Sequence, residues 1–278
     1  MPIITFWSNK EKAIGQTVST ALAATMMAID HNYKVLLISL DLNNDMLENC
    51  FGAQESNSEI IKTLVQKNQI NLDSGVKGLL KLADSNRITP ELVHDYTKII
   101  FKNRLEVLYP PTYLGEQTNE QEIMEKLKNI IRNASRYYDH VFVDLKKGIK
   151  YSEQLDILDF SDVVVFNVDQ NIKTMDKFLK TKEYEKIKHK LIWNICKYDK
   201  QSKYNCKNLT RTILKKQVVC QTNYNTLVLD STQEGNLAEL LLRFRTLKSD
   251  EENLEIIVQV RKISEEILLK YQQLRSGM

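Results

Sequence analysis

The sequence predicts an α/β chain built as a doubly wound, mainly parallel sheet flanked by helices. Three observations lead there. Short apolar blocks alternate with stretches of three-to-four apolar spacing along nearly the whole chain, as βαβ units require. Some blocks, such as Val163–Phe166, are apolar at every position, which suits strands buried on both faces. The 278 residues hold only 8 Gly and 4 Pro, and no Gly/Ser/Pro-rich stretch divides them. One domain over residues 1–248 is expected, with residues 249–278 adding a helix packed on it.

Taken in order, Ile3–Trp7 reads as the first strand. A helix follows in which Val18, Ala21, Leu22, Thr25, Met26 and Ile29 recur at helical spacing. Val35–Ser39 is the second strand. The span from Asn43 to about Tyr96 reads as mostly helical, with pieces at Ser58–Lys67 and Thr89–Ile100. The second piece starts on a Thr N-cap with Pro90 at the first helical position. Leu105–Leu108 is a short strand, and Asn119–Tyr137 a long amphipathic helix. Strands are expected at His140–Leu145, Val163–Val168, Leu191–Cys196 and Val218–Gln221. A Lys-rich helix precedes Leu191, another helix follows Cys196, and a further one lies around Asn236–Leu247. Ser249–Leu274 is the last helix, with an imperfect apolar stripe and mixed charges on its other face. That mixture suits an ordinary packed helix better than one lying on a membrane.

Composition narrows the function classes. Apolar residues make up 42% and charged residues 27%, which excludes disordered and fibrous chains. No apolar run approaches the roughly 20 residues of a membrane span, and the N-terminal stretch shows no export-signal pattern. Cys50, Cys196, Cys206 and Cys220 are scattered without a CxxC pair, so a reducing, cytoplasmic location is expected. The four histidines show no ligand spacing and no nucleophile context, which argues against a catalytic triad or a metal hydrolase.

The net charge of +3 conceals an asymmetry. Residues 173–216 carry fourteen Lys/Arg against four acids, a local net of +10, leaving −7 for the remainder. Lys173, Lys177, Lys180, Lys186, Lys188 and Lys190, with aromatics among them, are candidates for a polyanion surface, either non-specific DNA or an anionic membrane face. Lysines make point-charge contacts, so base-specific reading is not expected. The alternative is a solvated face on Lys-rich helices.

Chemistry is expected at the first turn, ITFWSNKEKAIGQTVS, where a strand, a loop and a helix opening Gly15-Gln16-Thr17 follow one another. This is the geometry of a phosphate loop, whose backbone N–H groups and lysine cradle phosphates while its Ser/Thr hydroxyl binds Mg²⁺. Only Gly15 and Thr17 of G-x-x-x-x-G-K-[ST] remain. Lys10 stands at the first glycine and Gln16 at the lysine.

Later segments give the turn a context. SLD at Ser39–Asp41 ends the second strand, YDHVFVDLKKG places Asp144 and Gly148 in a D-x-x-x-G pattern, Asn194 lies in the strand Leu191–Cys196, and VVCQTNYN runs from Val218 to Asn225. In this order the chain resembles the ParA/MinD family of P-loop ATPases, with the deviant loop K-G-G-x-G-K-[ST], over roughly Ile3–Leu247. Within it the chain looks most like the TadZ/CpaE branch, which helps place pilus-assembly or secretion machinery and tolerates altered loops. That branch often carries a receiver-like N-terminal domain, whereas this sequence starts directly on the first strand.

The resemblance implies ATP at Lys10, Lys12, Gly15, Gln16, Thr17 and Asn194, the last reading the adenine edge, and Mg²⁺ at Thr17, Asp41 and Asp144. It also implies a homodimer and a protein partner of a pilus or secretion system. The departures imply weak binding and little or no hydrolysis, with no catalytic residue assigned. Gln16 brings no charge to the phosphates, and Glu11 stands where the family's signature lysine reaches its partner's nucleotide. Lys10 or Lys12 could supply the missing cation in an active, nucleotide-switched alternative. Each residue also has a plainer role open to it: Thr17 as a helix-start residue, Asp41 as an N-cap, Asn194 as a strand-end cap.

Overall fold

The computed structural model describes residues 1–9, 14–40, 45–52, 76–83, 88–109, 120–145, 151–245 and 254–277. Eight strands, β1 (Ile3–Trp7), β2 (Val35–Ser39), β3 (Lys98–Phe101), β4 (Leu105–Leu108), β5 (His140–Leu145), β6 (Val163–Val168), β7 (Leu191–Tyr198) and β8 (Val219–Asn223), form one sheet. Their order is β3-β4-β2-β5-β1-β6-β7-β8, and all neighbours are parallel except the β3–β4 pair. Strand order turns around at β1, between β5 and β6, where a doubly wound sheet opens a crevice at its carboxyl edge.

The predicted fold class is the one observed, and the reason lies in the strands. Every residue of β1, β2, β4, β5 and β6 is buried, so both faces of the sheet must be covered. Ile3 and Trp7 of β1 face one core, and Ile4 and Phe6 the other. On the Trp7 side pack α3 (Val76–Ala83), α4 (Pro90–Asp95), α5 (Glu120–Tyr137), α6 (Tyr151–Phe160), α7 (Ile172–Leu179), α8 (Lys182–Ile187) and α9 (Cys206–Thr212). On the Phe6 side pack α1 (Gln16–Asp30), α2 (Met46–Phe51), α10 (Thr226–Glu234), α11 (Leu237–Arg245) and α12 (Leu254–Ser276).

Helix α1 is buried all round between Ser19 and Ala28, as a helix must be when other elements enclose it. Its alanines at 21, 23, 24 and 28 bring it close to its neighbours, and Ser264 of α12 donates to the Ala23 carbonyl at 3.2 Å. Helix α12 seals this layer with Ile256, Ile257, Val260, Ile263 and Ile267, and Arg261 Nε reaches Asp30 Oδ2 at 2.6 Å. Side chains of α12 also meet the outer backbone of β8. Gln259 Oε1 accepts from the Asn223 N–H at 2.9 Å, and Lys262 Nζ donates to the Val219 carbonyl at 3.4 Å.

Three stretches differ from expectation. The helix predicted over 89–100 ends at Asp95, and Lys98–Phe101 turns back as β3, antiparallel to β4. The β-branched and aromatic run Thr97-Lys98-Ile99-Ile100-Phe101 favours a strand, and Asn103 at φ 60 supplies the left-handed residue the tight turn needs. Helices α6 and α10 were not anticipated, their apolar residues being too few to show a period. The piece expected at 58–67 lies outside the described residues. No helix among the described residues is long and apolar enough to cross a membrane.

Candidate functional site

The carboxyl edge of the central strands meets the first turn of α1. Gly15 caps the helix at φ 88. Nothing lies within 4 Å of where its Cβ would be, so the left-handed backbone rather than crowding calls for glycine. The register sets Asp144 of β5 beside Phe6 of β1 and Ser39 of β2. Asp144 is 1% exposed, and a carboxylate there needs donors.

The first two residues of α1 supply them. Gln16 Nε2 donates to Asp144 Oδ1 at 2.7 Å and also reaches the carbonyls of Leu145 at 3.0 Å and Phe6 at 3.2 Å. Thr17 Oγ1 donates to Asp144 Oδ2 at 2.7 Å. Both carboxylate oxygens are thus engaged from within the protein, and Gln16 ties α1 to the ends of β1 and β5. The Cys50 thiol is pushed up to about 12 by burial, and the Asp144 charge adds to the effect.

Beside this turn lies a cavity of about 450 Å³ between α1, α2, the ends of β7 and β8, and α10. Gly15, Val18 and Leu22 form one wall, and Cys196, Asn223 and Tyr224 the other. Lys197, at φ 51, sits where β7 bulges against β8 and turns away from the sheet. The Cys196 thiol is held protonated, pushed up to about 12 by burial. Asn223 Oδ1 is sealed from solvent and has no hydrogen-bond partner among the described residues. A largely apolar slot fits a flat ring, such as a nucleobase.

The predicted residues fall into three groups. Gly15, Gln16, Thr17 and Asp144 come together as described. Lys10, Lys12 and Asp41, with Glu11 and Gly148, lie outside the described residues. Asn194 stands behind the cavity rather than in its lining. It is fully buried, donates to Asn167 Oδ1 at 2.9 Å and to Ser19 Oγ at 3.3 Å, and accepts from Thr222 Oγ1 at 3.1 Å. The network pins β6, β7, β8 and α1 together, so Asn194 supports the wall that Cys196, two residues further on, presents. Cys196 and Asn223 line the cavity without a sequence signal of their own, although VVCQTNYN marks the strand and loop that carry Asn223.

The basic stretch, residues 173–216, runs through α7, α8, a short 3-10 turn at Lys188–Lys190, β7 and α9. Lys173, Lys177, Lys180, Lys186 and Lys188 are exposed. Lys180 pairs with Asp176 at 2.5 Å and Lys188 with Glu185 at 2.7 Å. Lys190 departs from the expected surface and must be removed from it. It is 7% exposed, and its ammonium donates to the carbonyls of Ser161 at 2.8 Å and Asp159 at 3.0 Å at the end of α6. Burial lowers its pKa, while the helix-end carbonyls still favour a cation there.

No protein-family model matches the chain, and no curated protein matches it in sequence. Solved structures do match in fold. A ParA family ATPase from Chlorobium tepidum superposes with a TM-score of 0.66 at 14% identity, over 96% of this chain and 98% of that one. The MinC:MinD cell division complex of Aquifex aeolicus gives 0.63 at 14% identity, over 96% of each chain. A putative plasmid partition protein from Borrelia burgdorferi, bound to AMPPNP, gives 0.61 at 19% identity, over 97% and 98%. These likenesses extend over the whole length, so the fold of the chain is that of the ParA/MinD ATPases.

Proposed function

Starting from a ParA/MinD-type fold, we propose that this chain is a spatial organiser or scaffold with little or no ATP hydrolysis. It would act as a cytoplasmic homodimer that recruits a protein partner of a pilus or secretion apparatus. The observation that carries this reading is the closed carboxylate at the head of α1. Phosphoryl transfer depends on positive charge placed where negative charge develops. Residue 16, where the loop motif has its lysine, is a neutral Gln turned onto Asp144 and two strand carbonyls. The residues that would hold Mg²⁺, Thr17 and Asp144, are hydrogen-bonded directly to each other.

The base end and the phosphate end of the site therefore differ in what they suit. The cavity beside Gly15 fits a nucleobase, and Val18, Leu22 and Tyr224 would exclude water from it. A bound magnesium nucleotide would supply Lewis-acid chemistry on phosphate. For Asp144 to serve it, Gln16 and Thr17 must first release their hydrogen bonds. Weak nucleotide binding follows from that competition. The likeness to a partition protein bound to AMPPNP supports nucleotide as the ligand class, and the likeness to the MinC:MinD complex supports a protein partner. The pilus or secretion assignment rests on the resemblance to the TadZ/CpaE branch.

The test is calorimetric titration with Mg-ATP, repeated on Asp144→Ala, alongside a phosphate-release assay. Weak binding that Asp144→Ala abolishes, with no steady-state turnover, is expected. Sustained hydrolysis by the wild-type protein overturns the scaffold reading.

A second reading has its own observation. Lys173 and Lys177 line a groove of about 370 Å³ with Asn9, two residues past the end of β1. A nucleotide-switched ATPase using Lys10 or Lys12 as its cation would bind DNA or an anionic membrane there. Retention of binding after Lys173→Gln/Lys177→Gln, or binding insensitive to salt, rejects it.

A further inference from the structure

The sheet has two lateral edges, and they are finished differently. On β8, Gln259 and Lys262 of α12 occupy the Asn223 N–H and the Val219 carbonyl. The other edge is β3, a strand of four residues that pairs with β4 on its inner side. No side chain among the described residues reaches the backbone of Lys98–Phe101 in the way that α12 reaches β8. An edge strand in this state presents N–H and C=O groups to an added strand.

The side chains of β3 specify what that strand would be. The register sets Ile99 opposite Glu106 and Lys98 opposite Val107, so Ile99 and Lys98 lie on opposite faces. Ile99 is 54% exposed, while Ile100 and Phe101 are tucked against the core on the Phe6 side. Lys102 follows the strand, exposed and without an ion pair among the described residues. The Lys98 ammonium lies 5.8 Å from the Tyr109 ring centroid, at the outer limit of cation–π contact, and pairs with no described carboxylate. Residues 97–104 hold three bases and no acid. A second copy of this chain pairing edge to edge would set those cations against one another, and like charges across a ladder are destabilising. An acidic strand with an apolar residue beside Ile99 and carboxylates toward Lys98 and Lys102 meets both features. In an extended chain, acidic and apolar residues in alternation do so.

We propose that β3 is a docking edge for an extended acidic segment of a partner protein, which joins the sheet as a further strand with acidic and apolar residues in alternation. The shortness of β3 and its lysines blunt pairing between copies of the chain and leave the edge to a partner of opposite charge. This edge lies four strands away from β1 and the head of α1, and the proposal does not depend on the scaffold reading.

The probe is an acetylated, amidated peptide of alternating glutamate and valine, added to the full chain. One control is the lysine–valine peptide of the same length. The other is the glutamate–valine peptide N-methylated throughout, which has no backbone donors to pair with. Binding is read from ¹H–¹⁵N spectra and from amide exchange at Lys98–Phe101. The expected result is slowed exchange of the β3 amides that point away from β4, with saturable binding of the glutamate–valine peptide alone. Affinity should fall about tenfold in Lys98→Glu/Lys102→Glu, and by less in Ile99→Thr, which keeps a strand-favouring residue. Exchange unaltered at about 5 mM peptide, equal binding of either control, or unchanged affinity in the charge-reversed variant overturns the docking edge. Protection that rises with protein concentration alone shows a second copy on the edge and overturns it as well.

Discussion

Gln16 shows how one side chain can alter what a phosphate-loop architecture offers. Its amide is uncharged, so it can lie against a carboxylate and two carbonyls without desolvating a cation. The arrangement carries an expected cost on removal. Gln16→Ala leaves Asp144 with a donor fewer and opens the junction of β1, β5 and α1, which should cost about 1–3 kcal/mol. A urea midpoint measured against Gln273→Ala, an exposed change distant from the junction, checks it. His140 makes a second expectation possible. Its pKa falls from the usual 6.5 to about 4 on folding, so between those values the unfolded chain holds more protons. Stability contributed by the neutral ring is complete above about pH 6.5 and is lost as pH falls toward 4, by about 3 kcal/mol at most. Urea melts at neutral pH and at about pH 4.5 should differ less in His140→Gln than in the wild type.

Among the elements, the Lys-rich segment separates cations that face water from one that holds the fold. Phe178 of α7 stacks on Phe166 at 4.1 Å and meets Trp7 and Trp193 edge-on, fixing the layer from which Lys173 and Lys177 project. Lys190→Ala should destabilise by about 1–3 kcal/mol, because two buried carbonyls at the end of α6 lose their donor. Lys186→Ala should stay within about 0.5 kcal/mol. Thermal melts of the two variants check the contrast. Charge counting could not make this distinction, since Lys186 and Lys190 look alike in a basic run and only tertiary packing buries one of them. The same limit explains the other departures. Continuous apolar blocks announced seven strands because burial on both faces leaves a strong pattern. Lys98–Phe101 escaped because an edge strand with an intermediate, partly polar surface imitates the end of a helix. Motif order names Thr17 and Asp144 as members of one expected Mg²⁺ site but gives no sign of the hydrogen bond between them. The internal hydrogen bonding of Gln16 was not legible either, because a sequence names a missing lysine but does not say where its replacement turns.

For the molecule as a whole, the two faces of the sheet are built differently. One is covered by α3 to α9, the other chiefly by α1 and the helices that enclose it. Helix α12 closes that second face, and the Arg261–Asp30 pair fastens it to the end of α1. The pair is partly exposed, so it should add less than about 1 kcal/mol, and the apolar stripe does most of the holding. The contacts of Gln259 and Lys262 with β8 have a further effect. A parallel edge strand offers outward-pointing N–H and C=O groups to any passing chain. Here the Asn223 N–H and the Val219 carbonyl are already occupied by side chains, and a charged ammonium stands along the rim. Strand-by-strand growth from this side of the sheet is therefore hindered at these two groups, which favours assembly through other surfaces. Gln259→Ala/Lys262→Ala should raise light scattering with time and concentration, while Gln273→Ala, on an exposed turn of the same helix, should leave the solution clear.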